Sequence, residues 1–313
     1  MREDCSIAEV ETPIQSIGTC DGLEDIKKEQ DGMWVEISEG NLVSIRNVKS
    51  KIEPGYYDVG NTTMLNRQSA VFDRLTVKKE NLIKFEDTAS VEILDEINKF
   101  WSMEKTFKKF GMPFKRGVLL YGPPGSGKTC LLKLLILDVI ERGGVCLRMS
   151  NSHYIVLGLR DIRASQPDIP IVVVMEDLDE ILENGNQSHI LNMLDGVEST
   201  HKVLFLATTN YPAKLQKRIS DRPSRFDRKV RIPNPDKRCR KIYFEHLFNG
   251  NLSDSGADID MWVRDTQNMS LAHLKEIFVS VQILGNKYEE VIGNLKNMKK
   301  KDKSDDDEDK MGF

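Results

Sequence analysis

The sequence predicts an α/β fold in which a parallel β-sheet lies between two layers of helices, with a small β-rich domain before this core and a helical lid after it. Short apolar runs alternate with helical stretches between residues 118 and 232, which is the pattern of a three-layer parallel sheet. Short alternating runs with Gly, Pro and Asn turn signals come before this region, and segments with helical periodicity follow it.

Changes in composition along the chain predict five segments. Residues 1–32 are expected to form a flexible acidic arm, and residues 33–83 the small β-rich N-terminal domain. Residues 84–236 should form the α/β core and residues 237–295 the helical lid. Residues 296–313 are rich in Lys and Asp, and we expect a disordered charged tail there.

Composition also limits the class of protein. The chain has 313 residues and a formal net charge of −4, which argues against a strongly basic nucleic-acid coat protein. Its five cysteines are scattered without a C-x-x-C pair, as in reduced intracellular proteins. The apolar stretch 131–140 is too short to span a bilayer and contains Lys133 and Asp138. No signal peptide is recognisable, so we expect a soluble cytoplasmic protein without a membrane span.

One motif organises the core. Its residues match the spacing G-x-x-x-x-G-K-[ST] and are Gly122, Pro123, Pro124, Gly125, Ser126, Gly127, Lys128 and Thr129. A hydrophobic run, residues 118–121, precedes the motif, and an apolar helical segment follows it. This strand–loop–helix context is the one that a phosphate-binding loop requires, and it predicts a P-loop NTPase core.

The chemistry of the motif follows from its residue types. Glycines let successive backbone N–H groups close around a phosphate chain, and the following helix directs its positive dipole end at the same group. Lys128 should reach the β- and γ-phosphates, and the Thr129 hydroxyl should ligate Mg²⁺. The sequence therefore predicts a site for a nucleoside triphosphate with Mg²⁺.

Hydrolysis needs carboxylates beside this loop. Glu176 and Asp177 follow the apolar run 171–175, and parallel sheets place their ligands at this end of a strand. In one assignment Glu176 holds the metal or its water, and Asp177 is the general base. In the other, Asp177 holds the metal, and Asp179 or Glu180 activates the water.

Two further groups of polar residues are candidates. Asn210 ends the next apolar run, where its amide could orient the attacking water, although Asn before Tyr-Pro is also typical of a turn. Arg222 and Arg225 could act as arginine fingers that complete the site of a neighbouring subunit. The alternative for these arginines is a basic surface patch.

Residues 85–284 resemble the AAA ATPases. The motifs that carry the resemblance lie at residues 116–129, 191–197, 207–210 and 222–228. The Glu-Asp order and the short stretch 149–170 look most like the mitochondrial inner-membrane AAA translocase of the cytochrome bc complex and related phage and bacterial proteins.

The resemblance implies roles for the residues quoted. Walker A would be 122–129, Walker B 171–177 and the first sensor Asn210, with arginine fingers at Arg222 and Arg225. It also implies ATP and Mg²⁺ as cofactors, a helical lid from residue 237 and a hexameric ring that remodels another macromolecule.

Three segments depart from the family pattern. Residues 87–90 stand where Asp-Ile-Gly-Gly usually borders the adenine, and Leu271-Ala272 replaces the Gly-Ala pair of the last lid helix. The central pore loop would be only residues 150–155. Its Tyr154 could grip a polypeptide in the ring or pack on the sheet, and we favour packing.

Three functions are compatible with these residues. We expect an ATP-hydrolysing machine that remodels a protein or protein complex, and the resemblance implies that it is a homo-oligomer, a hexamer. The alternative is an ATPase loader or motor that acts on DNA. The only sequence features that favour it are the basic segments 105–116 and 214–231. The usual order of the two acids in such enzymes is Asp then Glu, and here it is reversed. This reversed order suggests a third function, an ATP-binding scaffold with little turnover.

Overall fold

The computed structural model describes most of the chain between residues 30 and 298. The described residues are 30–38, 41–48, 51–64, 67–78, 82–83, 85, 89–184, 187–195, 201–215, 225–249 and 256–298. Arg222, residues 1–29 of the predicted acidic arm, and the part of the predicted tail after residue 298 lie outside these ranges.

The described strands form two sheets. Their bounds are Gln30–Ser38 (β1), Asn41–Val48 (β2), Gly55–Met64 (β3), Arg67–Leu75 (β4), Lys115–Tyr121 (β5), Val145–Arg148 (β6), Ile171–Met175 (β7), Val203–Thr209 (β8) and Arg228–Arg231 (β9). β1 and β2 form an antiparallel pair. The other seven form one sheet in the order β4-β3-β6-β7-β8-β5-β9, in which only the β3–β4 pair is antiparallel.

Helices connect and cover the strands. Their bounds are Ala89–Ser102 (α1), Glu104–Lys109 (α2), Lys128–Glu141 (α3), Ser152–Ser165 (α4), Leu178–Asn184 (α5), Gln187–Asp195 (α6), Lys237–Phe248 (α7), Ile259–Asp265 (α8) and Leu271–Phe278 (α9). A π-helical turn, Val279–Ile283, continues α9, and residues 288–298 are also helical. Among the described residues, no helix combines the length and the apolar character that crossing a bilayer needs.

The central strands are apolar on both sides because both sides are covered. Every residue of β7 and β8 is buried. Odd-numbered side chains such as Val173 and Phe205 pack with α4, α5 and α6, whereas even-numbered ones such as Val174 and Leu206 pack with α1 and α3. The two faces thus bury separate clusters of side chains, and the predicted three-layer α/β fold is confirmed.

The strands β3 and β4 belong to the central sheet. β3 runs parallel to β6, with Tyr56 beside Cys146 and Asp58 beside Arg148. The sequence prediction placed this stretch in a small β-rich domain of residues 33–83, but the hydrogen bonds join it to the core. Pairing satisfies the backbone edge of β6 and buries Tyr56. The limits of the predicted domains otherwise stay a prediction.

The helices after residue 237 have their own hydrophobic centre. Trp262 is fully buried there, and the rings of Phe244, Phe248 and Tyr288 lie within 5.6 Å of its centroid. The first turn of α9 reaches the core, because the Ala272 N–H donates to a loop carbonyl that precedes α3. This contact brings the helical unit to the edge of the predicted nucleotide site.

Candidate functional site

The predicted phosphate loop joins the end of β5 to the start of α3. Gly125 and Gly127 have φ angles of 70° and 106°, in the left-handed region that glycine tolerates at little cost. A Cβ on Gly122 would lie 2.1 Å from the carbonyl oxygen of Ile232, and one on Gly125 would lie 2.8 Å from the Cβ of Ala272. The glycines are therefore needed both for the turn and for the close approach of β9 and α9.

Lys128 is the first residue of α3 and is almost completely buried. Its ammonium donates to the carbonyl oxygens of Gly122 (2.8 Å) and Pro123 (2.9 Å). Burial lowers the pKa of Lys128, while the carboxylates of Asp177 and Asp179 act in the opposite direction. An ammonium group that burial has partly desolvated is well suited to bind an anion such as a phosphate.

A cavity of about 320 Å³ lies over the loop. Its polar lining consists of loop residues together with Lys128, Thr129, Asp177, Thr208 and Asn210. Its apolar lining consists of Ile83, Phe85, Cys130, Tyr243, Leu271 and Ala272. A cavity with both kinds of lining suits a phosphate chain attached to a flat base.

Sequence analysis did not identify the apolar lining of the cavity. It only noted that residues 87–90 depart from the family's adenine-bordering stretch, and residues 87 and 88 lie outside the described residues; the structure adds Ile83 and Phe85 to the lining. The apolar pair just before the predicted segment was an available signal. Nothing in the sequence marks Tyr243, which comes from α7 and meets the cavity only through tertiary packing.

Asp177 is held in an uncommon backbone conformation at the end of β7. Its φ is 49°, which is left-handed, and its N–H donates to the hydroxyl of Thr208 at 3.1 Å. The Asn210 amide donates to one Asp177 carboxylate oxygen at 3.2 Å. The predicted acid and the predicted water-orienting residue are therefore in direct contact at one wall of the cavity.

Glu176 lies beside the cavity but does not line it. Its half-buried carboxyl follows Val174 on the face that α3 covers. Burial raises the pKa of Glu176, as does the charge of Asp177, while Lys133 and Arg148 act to lower it. The two adjacent acids thus stand in different environments.

The second assignment of the acids is less compatible with the structure. Asp179 is buried and accepts a hydrogen bond of 2.6 Å from the Thr209 hydroxyl, and it does not line the cavity. Glu180 is exposed on α5. Asp179 therefore ties α5 to the end of β8, and Asp177 is the carboxylate of the three that faces the cavity.

Arg225 is buried within its own subunit, whereas an arginine that reaches a neighbouring subunit would have to be exposed. Its side chain is 5% exposed and makes a bidentate pair with Asp195, at 2.9 Å and 2.7 Å. A Cβ on Gly117 would lie 1.8 Å from the Arg225 carbonyl oxygen, so the backbone of β5 passes directly beside this residue. In this conformation Arg225 holds residues 225–228 against β5 and α6.

Tyr154 of the short predicted pore segment is partly buried. It lies in the first turns of α4 and packs against the hydrophobic cluster between α4, α6 and the sheet. The neighbouring His153 is exposed. The structure thus places the tyrosine where the sequence analysis favoured it.

Comparison with known proteins identifies the core. Residues 118–234 match the model of the ATPase family associated with various cellular activities (AAA). This match confirms the predicted resemblance to the AAA ATPases. It includes the phosphate loop, both acids, Asn210 and the two arginines.

Relatives are similar over a larger part of the chain. The ATP-dependent zinc metalloprotease FtsH of Caulobacter vibrioides is 30% identical over 230 residues, 65% of this chain and 36% of the relative. The mitochondrial inner membrane i-AAA protease supercomplex subunit YME1 of Saccharomyces cerevisiae is 28% identical over 243 residues, 71% of this chain and 32% of the relative. The chain spans about a third of the length of these relatives.

The buried pair of Arg225 and Asp195 generates a stability prediction. Arg225→Ala leaves a partly buried carboxylate without its guanidinium, and we expect the free energy of unfolding to fall by about 3 kcal/mol. Chemical denaturation measures this change. Arg74→Ala is the matched control, because the Arg74–Glu53 pair is more than half exposed and should be worth less than about 1 kcal/mol. Equal stability of the two variants would contradict a structural role for Arg225.

Proposed function

We propose that the chain uses ATP hydrolysis to remodel a protein or protein complex. ATP hydrolysis is the activity of the AAA ATPase domain that residues 118–234 match. We further propose that it works as a homo-oligomeric ring, most simply a hexamer, with each site completed by a neighbouring copy. The observation that carries the proposal is the cavity in which Lys128, Thr129 and Asp177 meet at the glycine loop.

The residues of the loop fit a phosphate chain. Pro124, Gly125 and Gly127 line the cavity, and the buried Ser126 hydroxyl has no hydrogen-bond partner among the described residues. Lys128 would exchange its two loop carbonyls for phosphate oxygens, which are stronger acceptors for an ammonium. The base would then lie between Phe85 and Tyr243 on the apolar side.

Hard oxygen donors for Mg²⁺ are present beside the same loop. Thr129 offers a hydroxyl at the cavity, and Glu176 offers a carboxylate directly after β7. When bound, Mg²⁺ would neutralise charge on the phosphate oxygens. We assign Thr129 and Glu176 to hold the ion or its water shell.

Asp177 is our candidate for the general base. Its carboxylate faces the cavity and accepts from Asn210, and its second oxygen has no recorded partner among the described residues. That oxygen would take the proton from the attacking water, while the Asn210 amide keeps the carboxylate turned toward the phosphate end. Aspartate is one methylene shorter than glutamate but is the same kind of base.

Arg222 is the better candidate for a finger that acts on a neighbouring subunit. Arg225 is buried against Asp195, so its guanidinium would have to leave that pair before it could reach another copy. Arg222 lies three residues earlier, next to the segment that this pair anchors. We therefore propose that Arg225 fixes the segment and Arg222 supplies the charge to the neighbour's phosphate.

The proposed substrate class comes from the relatives. Two of them are named as proteases that depend on ATP or belong to an AAA protease complex, and proteases act on proteins. The family match lies in the ATPase part, and the proposal takes only ATP-driven action on a protein from these names.

Two substitutions test the ATPase site. Lys128→Ala should abolish detectable ATP binding, because it removes the buried cation of the loop. Asp177→Asn should bind ATP with an affinity within a few-fold of the wild type and hydrolyse it at least about a hundredfold more slowly. Nucleotide titration and phosphate release measure the two effects, with the exposed Lys109→Ala on α2 as the control. Hydrolysis by Lys128→Ala at the wild-type rate would contradict the site.

The class of substrate can be tested by stimulation. Phosphate release should rise on addition of an unfolded protein, because remodelling couples substrate engagement to turnover. Single-stranded or double-stranded DNA at matched mass concentration should leave the rate unchanged. The reverse pattern would favour the DNA loader or motor instead.

Mixing of variants tests the contribution of a neighbour. Arg222→Ala and Asp177→Asn should each be inactive alone, since one lacks the finger and the other the base. Mixed rings should recover part of the activity, because an Asp177→Asn subunit can offer its intact Arg222 to the site of an Arg222→Ala subunit. Absence of recovery in mixed oligomers of the correct size would count against a finger in trans.

A further inference from the structure

Three atoms of Asp177, two of the backbone and one of the side chain, are held by hydrogen bonds with β8, the residue after it and α5. Its N–H donates to the Thr208 hydroxyl, and one carboxylate oxygen accepts from Asn210. Its carbonyl oxygen accepts from the N–H groups of Glu180 (2.9 Å) and Ile181 (3.2 Å) at the start of α5. These contacts together hold the residue in a left-handed conformation with φ of 49°.

The left-handed conformation favours the shorter acid. Asp and Asn are several-fold enriched there among non-glycine residues, although one longer residue of this chain, Lys202, also adopts it with φ of 56°. A turn of this kind also changes the direction in which the side chain leaves the backbone. The aspartate of the reversed Glu-Asp order is therefore matched to the backbone on which it stands.

Thr208 is the residue that couples this conformation to the sheet. β7 and β8 are parallel with Met175 beside Ala207, so Thr208 follows directly at the same edge. The threonine is 3% exposed, and its hydroxyl accepts the Asp177 N–H at 3.1 Å. Without this acceptor, a partly buried N–H would lose its partner, and the peptide before Asp177 could rotate toward a more common conformation.

We propose that Thr208 is a positioning residue for hydrolysis, which sets the left-handed backbone of Asp177 so that a short carboxylate reaches the water. The inference rests on the proposed role of Asp177 as the general base. Thr208 also lines the cavity, but the proposed effect on hydrolysis passes through its hydrogen bond to Asp177. It follows that glutamate at position 177 does not improve the enzyme.

The central experiment compares three substitutions at position 208. Thr208→Val keeps the shape and removes the acceptor, and we expect kcat for ATP hydrolysis to fall on the order of tenfold to a hundredfold, because small misplacements of a reacting group are costly. The KM for ATP should stay within about twofold. Thr208→Ser should recover most of the kcat, and Thr208→Ala is the second variant without the hydroxyl if the valine protein does not fold.

Thr266→Val is the matched control for loss of a buried hydroxyl. Thr266 is fully buried in the helical unit, and its hydroxyl donates to the Trp262 carbonyl oxygen at 2.7 Å, away from the cavity. This variant should keep the wild-type kcat even if its melting temperature falls. Asp177→Glu should lower kcat as well.

The outcomes separate the inference from the proposed function. A wild-type kcat in Thr208→Val would overturn the positioning role, as would a fall in activity that appears only as a raised KM. An Asp177→Glu variant faster than the wild type would overturn the link to the left-handed backbone. Absence of ATP hydrolysis by the wild-type oligomer would instead refute the proposed function, independently of residue 208.

Discussion

The parallel register of β5, β8 and β7 is the constraint on which the site depends. Hydrogen bonds pair Tyr121 with Thr209 across β5 and β8, and Met175 with Ala207 across β8 and β7. Because the three strands run in the same direction, their carboxyl ends lie side by side at the same end of the sheet. The glycine loop, the two acids and the Thr-Thr-Asn segment are thereby brought together, although Gly122 and Asn210 are 88 positions apart in the sequence.

Burial shifts the pKa values of two charged groups at the site, Lys128 and Glu176. Lys128 is buried at the loop, where burial lowers its pKa, while two loop carbonyl oxygens accept from its ammonium and the carboxylates of Asp177 and Asp179 favour its charge. Burial likewise disfavours the charge of Glu176 and raises its pKa, and the charge of Asp177 adds to this, while the cations Lys133 and Arg148 favour the carboxylate. Arg148 is itself held by Asp58 of β3 at 2.6 Å. The strands that extend the sheet thus also contribute to the charge balance of the site.

The helical unit after residue 237 closes one side of the cavity. Tyr243, Leu271 and Ala272 line it, and the Ala272 N–H donates to Gly125 at 3.4 Å. The close approach of Ala272 and Ser270 to Gly125 leaves no room for a side chain in the loop. A nucleotide bound in the cavity would therefore touch the core and the helical unit at once, which couples its presence to the relative position of the two.

Local sequence patterns were sufficient to predict the phosphate loop and the buried central strands. The loop 122–129 is a contiguous motif, and its chemistry is set by residue types that are adjacent in sequence. The apolar runs at 171–175 and 203–207 predicted buried parallel strands, and their ends predicted where Asp177 and Asn210 would lie. These predictions succeeded because the periodicity of apolar side chains reports directly on which faces of a strand are covered.

Long-range packing decided the rest. The sequence alone could not show that Arg225 pairs with Asp195 beside Gly117, since these residues are far apart in the chain and nothing local marks the contact. No local sequence pattern predicts that β3 pairs with β6 or that Tyr243 lines the cavity. The left-handed turn at Asp177 depends on a hydroxyl from the neighbouring strand. Each of these features is selected by side chains that meet only after the sheet has formed, and so only the tertiary structure determines them.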